Sequence, residues 1–457
     1  MNSLELSRAQ FGDTAAFHII WPMLSIGLSF FMLIMEIMWL WTKKDDFYHQ
    51  LRFWSKVFIL TFGIGVASGI PLQFQFGTNW AAFSNATGDF FGNILGFEST
   101  VAFALESAFL AIFVFGWKRV GRRMHLFANA MVFVGATLSA FWIMAANSWM
   151  QIPRGVTLEG TKLVVTDYWQ AIFNPGTLVS FGHMWVACVE TTLFFMLGWC
   201  ALALLSHKQP HRNKVFYLQS FRYTFFTLII FVPLQILLGH TSGEVVGHYQ
   251  PQKLAAIELH WDTNKPGTGA GFNLFAIPDG VAENNSFAIT IPHALSIVTT
   301  GSPTGQVQGL KDFPKNDRPT AGEAAVASYS FRLMMFIGFL FAAVLLWGLW
   351  YWYREGFKLE KIVRHRLFLW LWVVCMPLGF VATIAGWMTR EIGRQPWVVY
   401  NLMRTHQGLS SNLDARAIMI TMTLFTILFL FFIFSFLFFT HRIMKKGPDL
   451  AKIPPAI

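Results

Sequence analysis

His18, His183, Met334, Glu98 and Glu391 are side chains able to bind iron or carry a proton, and each lies in or beside a stretch of otherwise apolar sequence. Ionisable groups at the centre of a membrane span cost about 3 kcal/mol each, and are functional candidates by default. Histidine nitrogen, methionine sulfur and carboxylate oxygen all serve as axial ligands or close partners of haem iron, with a His/Met pair typical of the low-spin, electron-transfer kind. Each residue also has a plainer reading. A lone intramembrane histidine can be a hydrogen-bonded packing residue, Met334 is one of 19 methionines and can be core filler, and Glu391 in TREIGRQPW can pair with Arg390 or Arg394.

A second set suits proton transfer. Glu106 follows Glu98 by eight residues, which on a regular helix sets it ~12 Å deeper and about 80° round the axis. Two buried carboxyls so placed can relay a proton, and Ser139 on the next apolar stretch can extend the relay or simply bond back to its own helix. Glu190, seven residues beyond His183 and on its face, is a further buried acid whose reading is a bundle contact.

The elements that position these groups follow from composition. Of 457 residues 54% are apolar and only 13% charged, against ~25% charged in soluble domains. That combination predicts an all-α, polytopic membrane protein. A bilayer core needs about 20 apolar residues per helix, and nine stretches qualify, near 15–41, 56–76, 97–116, 125–146, 180–205, 218–239, 330–352, 367–388 and 417–440. The first lacks a basic leader and a small-residue cleavage site, so it reads as a retained helix rather than a signal peptide. Cys188, Cys200 and Cys375 form no disulfide framework or CxxC motif. The net charge of +10 is scattered through membrane-flanking clusters, which disfavours a nucleic-acid reader.

Alternating the loops across the membrane puts 21 of the 34 Lys and Arg on one side, which is therefore the cytoplasmic side. The N-terminus and one long loop, 240–329, then lie outside, and the C-terminus inside. Three regions result: six helices over residues 1–239, the outer loop 240–329, and three helices over residues 330–457. On this topology His18, Glu98, His183, Met334 with Arg332, and Glu391 come from five helices yet share nearly one depth, close to the outer surface. A transporter would favour midplane sites on broken or repeated helices. A non-catalytic haem anchor would leave Glu98, Glu106 and the long loop without a role.

The chain resembles subunit I of the cytochrome bd-type quinol oxidases nearly end to end. The likeness is carried by FHIIWPMLSIGL, GVASGIPLQFQFGTNW, FESTVAFALESAFLAIFVFGW, ATLSAFWIMAANSWMQ, GHMWVACVE, HYQPQKLAAIELHW, SYSFRLM and GWMTREIGRQPWVVYNLMRT, in that order. The resemblance implies His183 and Met334 as axial ligands of a low-spin haem b, with Arg332 beside it. It implies His18 and Glu391 as ligands of two high-spin haems, one a haem b and the other a haem d or a second haem b, in an order that differs between members. Glu98, Glu106 and Ser139 match the family's proton pathway, and Lys253 and Glu258 its quinol site in the long outer loop, the Q-loop. Trp387 and Arg394 match an aromatic spacer and a propionate partner near the haems. The loop of about 90 residues is the short form, shared with cyanide-insensitive relatives.

The activity so implied is oxidation of membrane quinol coupled to four-electron reduction of dioxygen to water. Quinol protons would leave outside while protons for water come from the cytoplasm, generating membrane potential without a pump. The implied partners are a haem-free second membrane subunit and a very small third one, in a bacterial plasma (inner) membrane.

Overall fold

The computed structural model describes residues 2–452 and 454. Among them, nine helices are long and apolar enough to cross a membrane, one for each expected stretch. These are α1 (Ser3–Thr42), α2 (Asp45–Thr78), α3 (Ala81–Lys118), α4 (Arg122–Gln151), α5 (Thr177–Leu205), α6 (His211–Tyr249), α8 (Ala321–Glu355), the pair α9 (Arg366–Cys375) and α10 (Leu378–Ile392), and α11 (Ala415–Lys446). A short α7 (Pro251–Glu258) stands between α6 and α8.

Most helices outrun the apolar run that announced them, because caps and polar turns extend them past the hydrocarbon. Asn2 caps α1 reciprocally with Glu5, and Thr320 caps α8 with Glu323. α6 continues to Tyr249 and α8 starts at Ala321, so the stretch outside the spanning helices is 250–320 rather than 240–329. Pro377 splits the eighth span, since proline cannot donate to the preceding turn. Pro22, Pro71 and Pro233 sit inside continuous helices, as packed membrane helices permit.

α5 is the axle of the bundle. Ninety-four per cent of its most apolar window is buried, against 11% for α11, so α5 is apolar on every side and α11 lies against the outside of the molecule. Around α5 the main core packs aromatic side chains of several helices, with Trp21, Trp54 and Trp372 fully covered and Phe194 stacked on Phe341 at 3.7 Å between ring centres.

A second core of Trp80, Phe83, Phe90, Trp149, Val399 and Met403 fastens the start of α3 and the 397–404 turn to the end of α4. Three two-stranded antiparallel pairs decorate this end: β1 (Val156–Glu159) with β2 (Lys162–Val165), β3 (Phe272–Asp279) with β4 (Asn284–Ile291), and β5 (Trp397–Val399) with β6 (Met403–Arg404). The 250–320 segment is ordered around its own apolar contacts, in which Ala255, Ala256, Leu259, Trp261, Ala276 and Leu310 meet Ala324 of α8. α7 restarts after Gln250 leaves the helical region, with Pro251 at its first position.

Candidate functional site

His18 projects from α1 toward α2, and its Nδ1 lies 2.9 Å from Ser68 Oγ. The next residue, Gly69, leaves room for the ring: a Cβ there would lie 3.2 Å from His18 Cε1.

His183 on α5 faces α6, where a Cβ at Gly239 would lie 3.3 Å from its Cε1. Its Nδ1 is buried without a hydrogen-bond partner among the described residues, and Gln235 approaches Nε2 at only 3.5 Å. Met334 on α8 faces α10, with its Sδ 2.9 Å from where a Gly386 Cβ would stand. Bare glycine backbone lets the neighbouring helix approach each candidate ligand's side chain directly. Trp387 follows Gly386 and precedes Glu391 by one turn on the same face of α10. Among the described residues no three metal-binding side chains gather.

Glu391 is held from three directions. It accepts from Asn147 Nδ2 at 2.8 Å, Gln151 Nε2 at 3.2 Å and Arg394 Nη2 at 2.5 Å, yet a third of its side chain stays accessible (33%). Arg390 donates to Asn147 Oδ1 and to Ser180 Oγ. Arg394, 3% exposed, donates to the Trp397 carbonyl and leaves Nη1 buried without a partner among the described residues. Lys253 reaches the same cluster from α7, donating to Gln151 Oε1 at 2.9 Å. Burial pushes its ammonium well below the usual lysine range, and Arg390 and Arg394 push it further against the opposing pull of Glu391. Two buried guanidiniums and the Lys253 amine therefore gather about one carboxylate. The set calls for an anionic occupant.

Glu98 and Glu106 also come together. α3 carries π-helical turns over Gly88–Gly92 and Glu98–Phe103. A π-turn absorbs one residue, so the eight-residue separation takes the phase of about seven and the acids face within roughly 20° rather than 80° of each other. Ser139 Oγ donates to Glu98 Oε1 at 2.6 Å, and the two carboxyls lie close enough for their charges to interact. Glu106 is buried where α3 touches α4, and a Cβ at Gly135 would come within 2.8 Å of the Glu106 Cβ. Glu190 is buried in α5 with no contact to this set.

Lys253 and Glu258 diverge. Five residues apart on α7, they point about 140° apart, Lys253 toward Glu391 and Glu258 toward α8. Glu258 pairs with Arg332 at 2.6 Å, both side chains buried. Arg332 also donates to the Asn273 carbonyl and lies over the Phe272 ring at 4.4 Å. It thus ties α7 and β3 to the helix that carries Met334. Burial pushes the Glu258 carboxyl up, and the guanidinium opposes this.

Several partners escaped sequence reasoning. Asn147 and Gln151 are spaced i, i+4 in ANSWMQ, a one-face signal that could have found them. Ser68, Gln250 and Asn273 gave no such signal. Another polar group, Glu36 with His125 at 2.6 Å and Asn129 at 2.7 Å, is buried where α1 meets α4.

A family model for the cytochrome bd terminal oxidase subunit I matches residues 6–448. The chain is 32% identical over 455 residues to cytochrome bd ubiquinol oxidase subunit 1 of Bacillus subtilis (strain 168), covering 98% of this chain and 95% of that one. It is 32% identical to cytochrome bd-II ubiquinol oxidase subunit 1 of Escherichia coli (strain K12), covering 98% and 97%. The bd oxidase structure from Geobacillus thermodenitrificans superposes with a TM-score of 0.87 at 28% identity, over 98% of this chain and 99% of that one. Nine helices long and apolar enough to cross a membrane among the described residues, with likeness along nearly the whole length, lead to one conclusion: this multi-pass membrane protein belongs to the cytochrome bd terminal oxidase subunit I family.

Proposed function

We propose that this chain is the haem-bearing, electrogenic subunit of a quinol oxidase, taking electrons from membrane quinol and using them to reduce dioxygen to water. The observation that carries the reading is the cluster of Lys253, Arg390 and Arg394 around Glu391. Two propionate groups would balance its surplus charge, and the unpartnered Arg394 Nη1 is a donor aimed at such a group.

His183 and Met334 would hold a low-spin haem b. His18 and Glu391 would each hold a high-spin haem, one of type b and the other of type d or b. Haem iron would supply single-electron transfer and reaction with dioxygen when bound. Trp387 would separate the two levels.

The protein's own groups handle protons. Glu258 would take a quinol proton at the outer face, its carboxyl raised by burial against the opposing pull of Arg332. Lys253, directed toward Glu391 instead, would stabilise negative charge there. Glu106, Ser139 and Glu98 would pass protons from the cytoplasmic side, and the Ser139 to Glu98 hydrogen bond of 2.6 Å is one link of that chain. Release outside and uptake inside would charge a bacterial plasma membrane, with the Lys- and Arg-rich loops in the cytoplasm. The exposed aromatic faces of α11, Phe431 and Phe434 among them, face lipid or the haem-free second subunit; a very small third subunit completes the proposed complex. The regions 1–239, 240–329 and 330–457 would divide the work into haem and proton relay, quinol docking, and the Met334 and Glu391 helices.

A reduced-minus-oxidised spectrum of purified membranes, with carbon monoxide and haem extraction, tests this. Mixed low- and high-spin signals with carbon monoxide binding are expected, and His183→Ala or Met334→Ala should abolish the low-spin signal alone. No haem signal, or a single low-spin haem, would refute the oxidase reading.

A further inference from the structure

We propose that Ser68 is a positioning residue for His18, setting the tautomer that leaves Nε2 unprotonated as an electron-pair donor. This rests on the reading of His18 as a haem ligand. Ser68 Oγ lies 2.9 Å from two atoms, the carbonyl oxygen of Gly65 one turn back on α2 and Nδ1 of His18 on α1. A hydroxyl has one proton and two lone pairs. The carbonyl can only accept, so it takes the hydroxyl proton, and the Ser68 lone pair is left to receive Nδ1–H. His18 then carries its proton on Nδ1 and presents an unprotonated Nε2. Gly69 completes the arrangement: any side chain there would press on Cε1, so one residue of α2 orients the ring and the next leaves it space.

His183 is held otherwise. Its Nδ1 meets no partner among the described residues, so the two histidines differ in the atom that tunes a ligand's basicity. A hydroxyl is a weaker acceptor than a carboxylate, so His18 is fixed without being driven toward imidazolate. A histidine so held donates modestly to iron and favours the reduced metal.

Resonance Raman spectroscopy of the purified oxidase complex, reduced and free of carbon monoxide, reads the iron–histidine stretch directly. Ser68→Ala should lower that frequency and weaken retention of the haem on His18 by on the order of 10–100-fold. Ser68→Thr should restore both, and the low-spin signal of His183 and Met334 should persist in each variant. A Ser68→Ala enzyme with unshifted frequency and full haem would overturn the proposal. Loss of the low-spin signal as well would mark Ser68 as a packing residue and overturn it equally. The underlying reading fails separately, if His18→Ala keeps every haem and the same iron–histidine stretch.

Discussion

Arg332 and Glu258 meet at 2.6 Å with side chains only 5% and 4% exposed, so neither charge has water to fall back on. Removing one partner of such a pair leaves a bare buried charge and costs about 3–5 kcal/mol, whereas replacing both with apolar residues of similar size can be close to neutral. Arg332→Leu should therefore lower the melting temperature of the purified complex clearly, and the double change Arg332→Leu with Glu258→Leu should recover much of it. Equal melting of the single variant and the parent would show that the pair is not sealed from solvent. The same residue sets a pH dependence. Burial raises the Glu258 carboxyl, and only its ionised form can accept a quinol proton. Quinol oxidation should thus fall as pH drops through that raised value, at a pH above the ordinary carboxylate range, and Glu258→Gln should be slow at every pH with this acid limb gone. An unchanged limb in the variant would move the proton acceptor elsewhere.

At the scale of elements, α3 and α4 approach so closely that Gly135 has no room for a methyl group against Glu106. Gly135→Ala should spread the two helices at a cost of roughly 1–3 kcal/mol and stretch the Ser139 to Glu98 hydrogen bond, slowing oxygen consumption while the haem spectrum stays intact. Gly63→Ala on α2, where nothing lies within 4 Å, is the control. Full activity in Gly135→Ala would separate the relay from this contact. The helices themselves were legible from apolar length, because a bilayer imposes one dominant rule on sequence. The phase of Glu106 was not: a helical wheel presumes 3.6 residues per turn, and the π-turn over Glu98–Phe103 breaks that premise. Isolated donors such as His18 and Glu391 stood out against an apolar background. Ser68 did not, since a lone serine in GVASGIP has no spacing that distinguishes a ring-orienting hydroxyl from a back-bonded one. The divergence of Lys253 and Glu258 was hidden for a related reason. Neighbours in sequence share a motif, but on a helix five positions apart they serve different neighbours in space.

Over the whole molecule, charge is rationed by place. Most of the Lys and Arg stand at one end of the bundle, and the buried cations near the other end are gathered against Glu391 rather than dispersed. Among the described helices α5 is enclosed and α11 nearly bare, so the bundle is built around α5 with α11 at its outside. The cation cluster, with Arg394 Nη1 buried and without a partner among the described residues, also bears on how such a chain is made. A buried polar atom without a partner costs about 1–3 kcal/mol, more when charged, and folded proteins stand only about 5–15 kcal/mol above their unfolded states. Newly inserted chains would then mature only as fast as porphyrin reaches them. Cells starved of haem precursors should show a shortened lifetime of this chain in pulse-chase labelling, restored by supplying the precursor, whereas a chain equally long-lived with and without haem would mean its folding is finished before its chemistry is installed. The cradle that serves respiration would act during biogenesis as a checkpoint, committing to the membrane only those copies already able to breathe.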